Sequence, residues 1–156
     1  MKEKTILILN SVLTKAVYLF YPLMLIYLAF SHPADKDPGL VPAVLVPGIS
    51  FVLVSIFRSI INAPRPYEMP GAKPPIIKKD APGKSFPSRH VFSIFVIAVT
   101  AFWVWPAAGI LTGIAGVVLS WCRVEGGVHF PRDVIAGALI GVGCGVLGYY
   151  IILPLI

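Results

Sequence analysis

The sequence contains few charged residues for its length. Lysine and arginine number 13 and aspartate and glutamate 7, so 13% of the 156 residues are charged, whereas about 25% is usual in a soluble domain. This scarcity excludes an ordinary soluble globular domain. Cysteine is also scarce. Cys122 and Cys144 both lie in apolar segments, which excludes a disulfide framework and a cysteine-rich metal site.

Four long stretches contain no Asp, Glu, Lys or Arg. They are Ala16–Ala34, Pro38–Phe57, Val91–Cys122 and Val134–Ile156. A helix needs roughly 17–25 mainly apolar residues to cross a bilayer, so each stretch is long enough for at least one span. The third is too long for one span and contains Trp105-Pro106, where proline interrupts the backbone hydrogen bonds of a helix.

These stretches predict an all-α protein, a polytopic transmembrane helix bundle in a single domain over residues 1–156. We place five spans near residues 16–31, 41–61, 87–105, 107–123 and 133–154. The first 15 residues are ambiguous, since they could extend the first span or form an amphipathic helix in the interface that ends at Lys15. A cleaved signal peptide is disfavoured because no small-residue cleavage site follows the apolar run.

The last span carries a ridge of small residues. Gly137, Gly141 and Gly145 recur every four residues and therefore share one face of a helix. Small residues allow the backbones of membrane helices to approach closely. We expect this ridge to pack against another helix of the same protomer. A dimer interface is a less favoured alternative, and the sequence leaves the oligomeric state open.

Most ionisable residues lie in two connections, between spans two and three and between spans four and five, which face the same side of the membrane. Three spacings stand out there: R-S-I-I-N-A-P-R-P, P-S-R-H and C-R-V-E-G-G-V-H-F-P-R-D. The positions that define these spacings are four arginines, two histidines, one hydroxyl and one carboxylate: Arg58, Arg65, Arg89, Arg123, His90, His129, Ser88 and Asp133. Arginines at membrane edges also bind lipid headgroups, so no single residue decides the function.

The residue types of this set are those of an anion site with acid–base groups. Arginine forks match phosphate oxygens, and Ser88 begins a helical turn whose N–H groups have no intrahelical partner. Asp133 falls in the first turn after Pro131, within reach of His129, and an imidazole held by a carboxylate is a nucleophile or base fixed in one tautomer. His90 could be the complementary proton donor. Phosphate is the natural anion for this set.

The three stretches resemble the three-part signature of the type 2 phosphatidic acid phosphatase family. These are the lipid phosphate phosphatases, whose superfamily also includes the vanadium haloperoxidases. The usual form is Lys-x6-Arg-Pro, then Pro-Ser-Gly-His, then Ser-Arg-x5-His-x3-Asp. The resemblance covers Arg58 to Asp133, about half of the chain, and the order and internal spacings agree.

The chain departs from that pattern at three positions. Arg58 stands in place of Lys, which keeps the positive charge. Arg89 stands in place of Gly, which keeps the backbone N–H. Cys122 stands in place of Ser, which puts one secondary phosphate contact in doubt. The family commonly has six spans, whereas five are predicted here.

The resemblance implies a metal-independent and cofactor-free mechanism. His129 attacks phosphorus and forms a phosphohistidine, Asp133 orients the imidazole, and His90 protonates the leaving group and then activates water. The groups implied to hold the phosphate oxygens are Arg58, Arg65, Ser88, Arg123 and the N–H of Arg89. Arginines would supply the positive charge that metal ions supply in kinases.

The expected function is therefore hydrolysis of a membrane lipid phosphate or diphosphate, such as undecaprenyl diphosphate, phosphatidylglycerol phosphate or phosphatidic acid. The bilayer and this lipid are the expected partners, and no nucleic acid is. One alternative is a lipid phosphotransferase that uses the same intermediate. Another is a non-catalytic lipid-phosphate binding or transport protein, although binding alone does not require a nucleophile with its own carboxylate.

Two arguments disagree about the side of the membrane. The resemblance implies a bacterial plasma membrane with the active site facing outside. The excess of Lys and Arg around the site predicts a cytoplasmic face by the positive-inside rule. We favour the outside, because several of these cations are expected to bind phosphate and are not independent topological signals.

Overall fold

A computed structural model describes residues 2–31, 39–78 and 82–155, which form five long helices and no strands. Helix α1 spans Lys2–Ser31, α2 Leu40–Ile61, α3 Arg89–Val104, α4 Pro106–Glu125 and α5 Pro131–Val146. A wider helical turn, Leu147–Ile152, and a short 3-10 turn continue α5, and another 3-10 turn covers Pro66–Glu68. The predicted all-α membrane bundle is confirmed. Within the described residues, four helical segments are long and apolar enough to cross a membrane, and α3 is a shorter apolar helix of 16 residues.

The first 15 residues do not form a separate helix. Residues 2–15 are the first half of α1, whose 30 residues extend about 45 Å at 1.5 Å per residue. Ile6 is fully buried in an apolar cluster with Ile77 and Val128, and Lys2 Nζ lies 2.7 Å from Glu125 Oε2. The N-terminal half of α1 therefore packs on the loops at one end of the bundle, the end where α4 finishes.

A tight turn between α3 and α4 lies at the opposite end of the bundle. The N–H of Trp105 donates to Ala101 O and closes α3, and Pro106 begins α4 in the first-turn position that proline favours. The predicted division of the longest apolar stretch at Trp105-Pro106 is confirmed. Because α3 and α5 start at the end where α2 and α4 finish, the loops that carry the three motifs meet in one layer.

The glycine ridge packs against α3 within the protomer, as expected. A Cβ atom at Gly137 would stand 2.7 Å from Ser88 O, and one at Gly141 would stand 2.6 Å from Phe92 O. Both distances are too short for carbon and oxygen, so only glycine permits this approach. The close contact holds the start of α3, with Ser88 at its N-cap, directly against the first half of α5.

Replacing Gly141 with alanine is expected to lower the free energy of unfolding by about 1–3 kcal/mol, because the new methyl group must push α3 away from α5. Thermal unfolding in detergent measures the change. Gly143→Ala is a matched control on the same helix, since a Cβ there meets nothing within 4 Å. Alanine favours a helix over glycine, so the control should be neutral or stabilising by up to about 1 kcal/mol. Equal effects of the two substitutions would contradict the packing role.

Candidate active site

Arg65 forms hydrogen bonds with two of the loops that carry the motifs, the loop before α3 and the loop before α5. Its Nε donates to Gly83 O at 2.9 Å, its Nη1 to Val128 O at 3.0 Å, and its Nη2 to Lys84 O at 3.5 Å. Val128 directly precedes His129, so this buried guanidinium positions the loop that carries the histidine. Three of its five N–H groups are used in this way, which makes Arg65 a loop clamp as well as a predicted phosphate ligand.

Glu68 strengthens the same clamp and was missed by the sequence reasoning. Its Oε2 accepts the N–H of Arg65 at 2.7 Å, and its Oε1 accepts the N–H of Gly83 at 2.6 Å. The carboxylate therefore joins the loop after α2 to the loop before α3. A local signal did exist, because an acidic residue three positions after the start of a proline-led turn is a capping pattern.

His129 lies between Asp133 and Ser85 at the start of α5. Its Nδ1 is 3.6 Å from Asp133 Oδ2 and 3.4 Å from Ser85 Oγ, and Ser85 in turn donates to Asp133 Oδ2. The N–H of Phe130 donates to the same carboxylate oxygen at 3.0 Å. His129 is 2% exposed and Asp133 0%. With Nδ1 directed at the carboxylate, Nε2 is the ring nitrogen left to act as a nucleophile.

Ser85 is a second residue that the sequence reasoning missed. It is fully buried, and its N–H donates to Ala63 O at 2.9 Å, which fixes it beside the end of α2. The hydroxyl supplies Asp133 with a donor that the motif spacings do not reveal. No pattern along the chain distinguishes this serine from an ordinary loop residue.

Burial lowers the pKa of His129 to about 4, and the positive charges of Arg123, Arg65 and Arg58 act in the same direction. The hydrogen-bonding contribution of Asp133 opposes this shift. A lowered pKa keeps the imidazole neutral at pH 7, which is the form in which it can attack an electrophile.

This pKa gives a testable titration. In the ligand-free protein, the ¹⁵N resonances of His129 should show a neutral ring from pH 8 down to about pH 5, with protonation near pH 4. A histidine with an ordinary pKa would titrate near 6.5. The chain has three histidines, so His129→Ala identifies the signal. Protonation of His129 above pH 6 would contradict the proposed environment.

Arg58 and Arg123 bring two further guanidinium groups to the layer. Arg58, 7% exposed in the last turn of α2, donates from Nη2 to Lys84 O, the carbonyl that Arg65 also contacts. Arg123, 4% exposed near the end of α4, places Nη2 2.9 Å from His90 Nδ1 and donates from Nη1 to Asn10 Oδ1 at 3.1 Å. Both arginines are close enough to His129 to affect its pKa.

Ser88 and Arg89 occupy the start of α3 in different ways. Ser88 donates its N–H to Asp133 O at 2.9 Å, and its buried hydroxyl has no hydrogen-bond partner among the described residues. The same is true of Arg123 Nε. Arg89 is exposed and its guanidinium lies 5.4 Å from the centre of the Phe51 ring. Its backbone N–H stays the predicted phosphate donor.

Cys122 faces away from this cluster. Its fully buried side chain belongs to the apolar cluster of Ile6, Ile77 and Val128. A serine at this position would point its hydroxyl into the same apolar surroundings. The Cys122 side chain therefore contributes to the packing of α1 through the cluster that includes Ile6.

An apolar cleft of about 250 Å³ borders His90 and Arg89. Its walls come mainly from α1 and α3, through residues that include Tyr18, Tyr21, Ile94 and Ile97. Such a cleft can accept a hydrocarbon chain beside the charged layer. In the part of the chain that the structure describes, no three His, Cys, Asp or Glu residues gather closely enough to hold a metal ion.

The comparisons with known proteins agree with this architecture. The sequence model of the PAP2 superfamily matches residues 39–155. The undecaprenyl-diphosphatase of Sulfolobus acidocaldarius is 31% identical over 130 residues, 80% of this chain and 59% of that protein. The bacitracin transport permease protein BcrC of Bacillus licheniformis is 33% identical over 104 residues, 60% of this chain and 48% of that protein. The chain spans about a third to three fifths of the length of the curated relatives it matches.

Two crystal structures have the same fold. Aquifex aeolicus LpxE matches with a TM-score of 0.73 and 25% identity, over 94% of this chain and 84% of that one. A transmembrane PAP2 type phosphatidylglycerolphosphate phosphatase from Bacillus subtilis matches with a TM-score of 0.70 and 24% identity, over 94% and 74%.

Proposed function

The chain belongs to the PAP2 superfamily, and from this membership and the geometry of the site we propose that it is a membrane phosphatase acting on a lipid phosphate or diphosphate. The observation that carries the proposal is the buried, neutral His129, held by Asp133 and Ser85 among three arginines. A purely structural histidine does not need this combination of a carboxylate behind it and positive charge around it.

In the proposed reaction, His129 Nε2 attacks phosphorus. An N–P bond forms while the bond to the leaving oxygen breaks, and His90 donates a proton to that oxygen. His90 then takes a proton from water, which attacks the phosphohistidine, releases phosphate and restores His129. Asp133 stabilises the positive charge that develops on the imidazole. The proposed ligands of the phosphate oxygens are Arg58, Arg65, Arg123, Ser88 and the N–H of Arg89.

A lipid substrate suits the position of the site. The charged layer lies at the ends of membrane helices, and the apolar cleft next to His90 can hold a hydrocarbon chain while the phosphate stays in the layer. One relative is named undecaprenyl-diphosphatase and one structural neighbour a phosphatidylglycerolphosphate phosphatase. We therefore propose a polyprenyl diphosphate as the first candidate, with phosphatidylglycerol phosphate and phosphatidic acid next.

The test is phosphate release by the purified protein from a panel of lipid mono- and diphosphates. Activity should persist in EDTA, because arginines supply the positive charge, and vanadate should inhibit as a phosphate analogue. Loss of activity in EDTA that returns with added metal would contradict the proposed mechanism. Faster transfer of phosphate to an added alcohol than to water would instead favour a lipid phosphotransferase.

The name of the Bacillus licheniformis relative refers to transport, which is the remaining alternative. A lipid-phosphate binder would retain its affinity when His129 is replaced and would release no phosphate. We favour the enzyme because the set of Ser85, His129 and Asp133 serves a nucleophile and adds nothing to simple binding.

For the side of the membrane we keep the proposal of a bacterial plasma membrane with the site facing outside, which rests on the resemblance alone. Since Lys2 pairs with Glu125, the start of α1 lies on the same face as the site. A tag placed before Lys2 should then be cleaved by protease added to intact cells. Protection of the tag would favour the cytoplasmic face that the excess of Lys and Arg predicts.

A further inference from the structure

The apolar cleft beside His90 changes in polarity along α3. The residues of α3 that line it follow one another at steps of one and three positions, which places them on one face of the helix: Arg89, His90, Ser93, Ile94 and Ile97. The first three are polar and begin the helix, next to the charged layer, and the two isoleucines lie further along it. A molecule that lies along this face meets polar groups first and hydrocarbon walls next.

Arg89 is the residue that gives this cleft a permanent charge. Among the described residues that line the cleft, it is the only lysine, arginine, aspartate or glutamate. Its guanidinium lies over the ring of Phe51, another residue of the cleft wall. A contact of this kind depends on the charge of the guanidinium, and arginine has five N–H donors with which to bind oxygens. Arg89 can therefore stay over Phe51 and still bind an anion.

The charge of Arg89 also lies near the proposed phosphate site. It is close enough to Arg58 and Arg65 to act electrostatically on both. Ser88, the residue directly before it, donates its N–H to Asp133 O at 2.9 Å. Arg89 therefore stands where the charged layer meets the cleft, and a substrate that occupies both must pass its side chain.

We propose that the side chain of Arg89 determines specificity by binding the inner phosphate of a lipid diphosphate, the one attached to the hydrocarbon chain. The inference rests on the proposed function, which places the attacked phosphate among Arg58, Arg65 and Arg123 and the chain in the cleft. In a diphosphate, the inner phosphate lies between these two places. A lipid monophosphate has no second phosphate there, so Arg89 favours the diphosphate over a monophosphate with the same chain.

The inner phosphate is also the group on which negative charge increases during the reaction. As His129 Nε2 bonds to the outer phosphorus, the bond from that phosphorus to the bridging oxygen breaks. The bridging oxygen leaves with the electron pair as part of a lipid monophosphate. A guanidinium on the other oxygens of this group stabilises the departing charge. Water then hydrolyses the phosphohistidine in the same way for both kinds of substrate.

The experiment compares kcat/KM for farnesyl diphosphate and farnesyl monophosphate, two substrates with the same chain. Arg89→Gln removes the charge and keeps the backbone N–H. It should lower kcat/KM for the diphosphate about 10-fold more than that for the monophosphate, the loss expected for a hydrogen bond to a charged group. Arg89→Lys should recover part of this difference. Because phosphate is a better leaving group than an alkoxide, the change in the ratio of the two values reports on Arg89.

The matched control is Lys15→Gln, which removes an exposed positive charge of α1 that does not line the cleft. Its ratio should stay within twofold of the wild type, which excludes a general effect of net charge. If Arg89→Gln does not fold, Arg89→Gly provides the same comparison. If the wild type hydrolyses only the diphosphate, the loss in Arg89→Gln is measured against Lys15→Gln on that substrate.

Equal losses on both substrates in Arg89→Gln would mean that Arg89 acts by packing on Phe51, and would overturn the proposal. An unchanged ratio, or a wild-type protein that hydrolyses the monophosphate alone, would also overturn it while the proposed function stands. Failure of the wild type to release phosphate from any lipid would overturn the proposed function instead.

Discussion

Replacing His129 with alanine is expected to reduce phosphate release by about 10⁴-fold or more, because the substitution removes the nucleophile itself. The position is buried at the start of α5 and Asp133 remains tied to Phe130 and Ser85, so the loop keeps most of its contacts. Release of phosphate from a lipid diphosphate measures the loss. Binding of the lipid should fall far less than turnover, since the arginines are unchanged.

The matched control is His32→Ala, at the histidine that belongs to none of the three motifs. This variant should retain wild-type activity. The unfolding temperature of His129→Ala must stay near that of the wild type for the comparison to hold. Residual activity above about 1% in a folded His129→Ala protein would mean that water attacks phosphorus directly and that His129 is not the nucleophile.

Replacing His90 with alanine is expected to lower turnover of a lipid phosphate by about 10²–10⁴-fold, the usual range for a general acid or base. The loss should depend on the leaving group. An alkyl phosphate needs a proton on its departing oxygen, whereas a p-nitrophenyl phosphate does not. The first step should therefore be nearly normal with the nitrophenyl substrate, and hydrolysis of the intermediate should become limiting.

Burst kinetics separate these two steps. With p-nitrophenyl phosphate, His90→Ala should release one equivalent of nitrophenol per protein quickly and further product slowly. Equal losses on both substrates with no burst would contradict the assignment of His90 to proton transfer.

The five helices could be predicted because their boundaries are set locally. Charge-free stretches and proline positions predicted a span at 41–61, and the structure has α2 at Leu40–Ile61. They predicted another at 107–123, and the structure has α4 at Pro106–Glu125. The first half of α1 could not be assigned in this way. Its burial depends on Ile6 meeting Ile77 and Val128, which are far away in the sequence. A periodic pattern shows that a helix has an apolar face but does not show what covers it.

The motif residues could be identified from spacing, and their contacts could not. Arg58, Arg65, Arg123, His90, His129, Ser88 and Asp133 do converge, while the side chain of Arg89 lies over Phe51. Arg65 proved to use most of its donors on backbone carbonyls. The catalytic and phosphate-binding roles of this set stay predictions.

Three supporting residues escaped prediction because their partners are distant along the chain. Asn10 contacts a residue 113 positions away, Ser85 one 48 positions away and Glu68 one 15 positions away. Asn10 and Ser85 are common polar residues with no distinctive neighbours, whereas Glu68 also stands in a local capping pattern with Arg65. Only the folded chain shows that Ser85 holds Asp133 and that Glu68 joins the loops on either side of residues 69–82.

Trapping the covalent intermediate would show whether His129 is the nucleophile. His90→Ala protein is exposed briefly to a radiolabelled phosphate ester, denatured in base, in which a phosphohistidine survives, and mapped by mass spectrometry. We expect one phosphate per protein, on His129, removed by acid and absent from His129→Ala. Turnover without any trapped phosphate, or a label on a different residue, would contradict this role of His129.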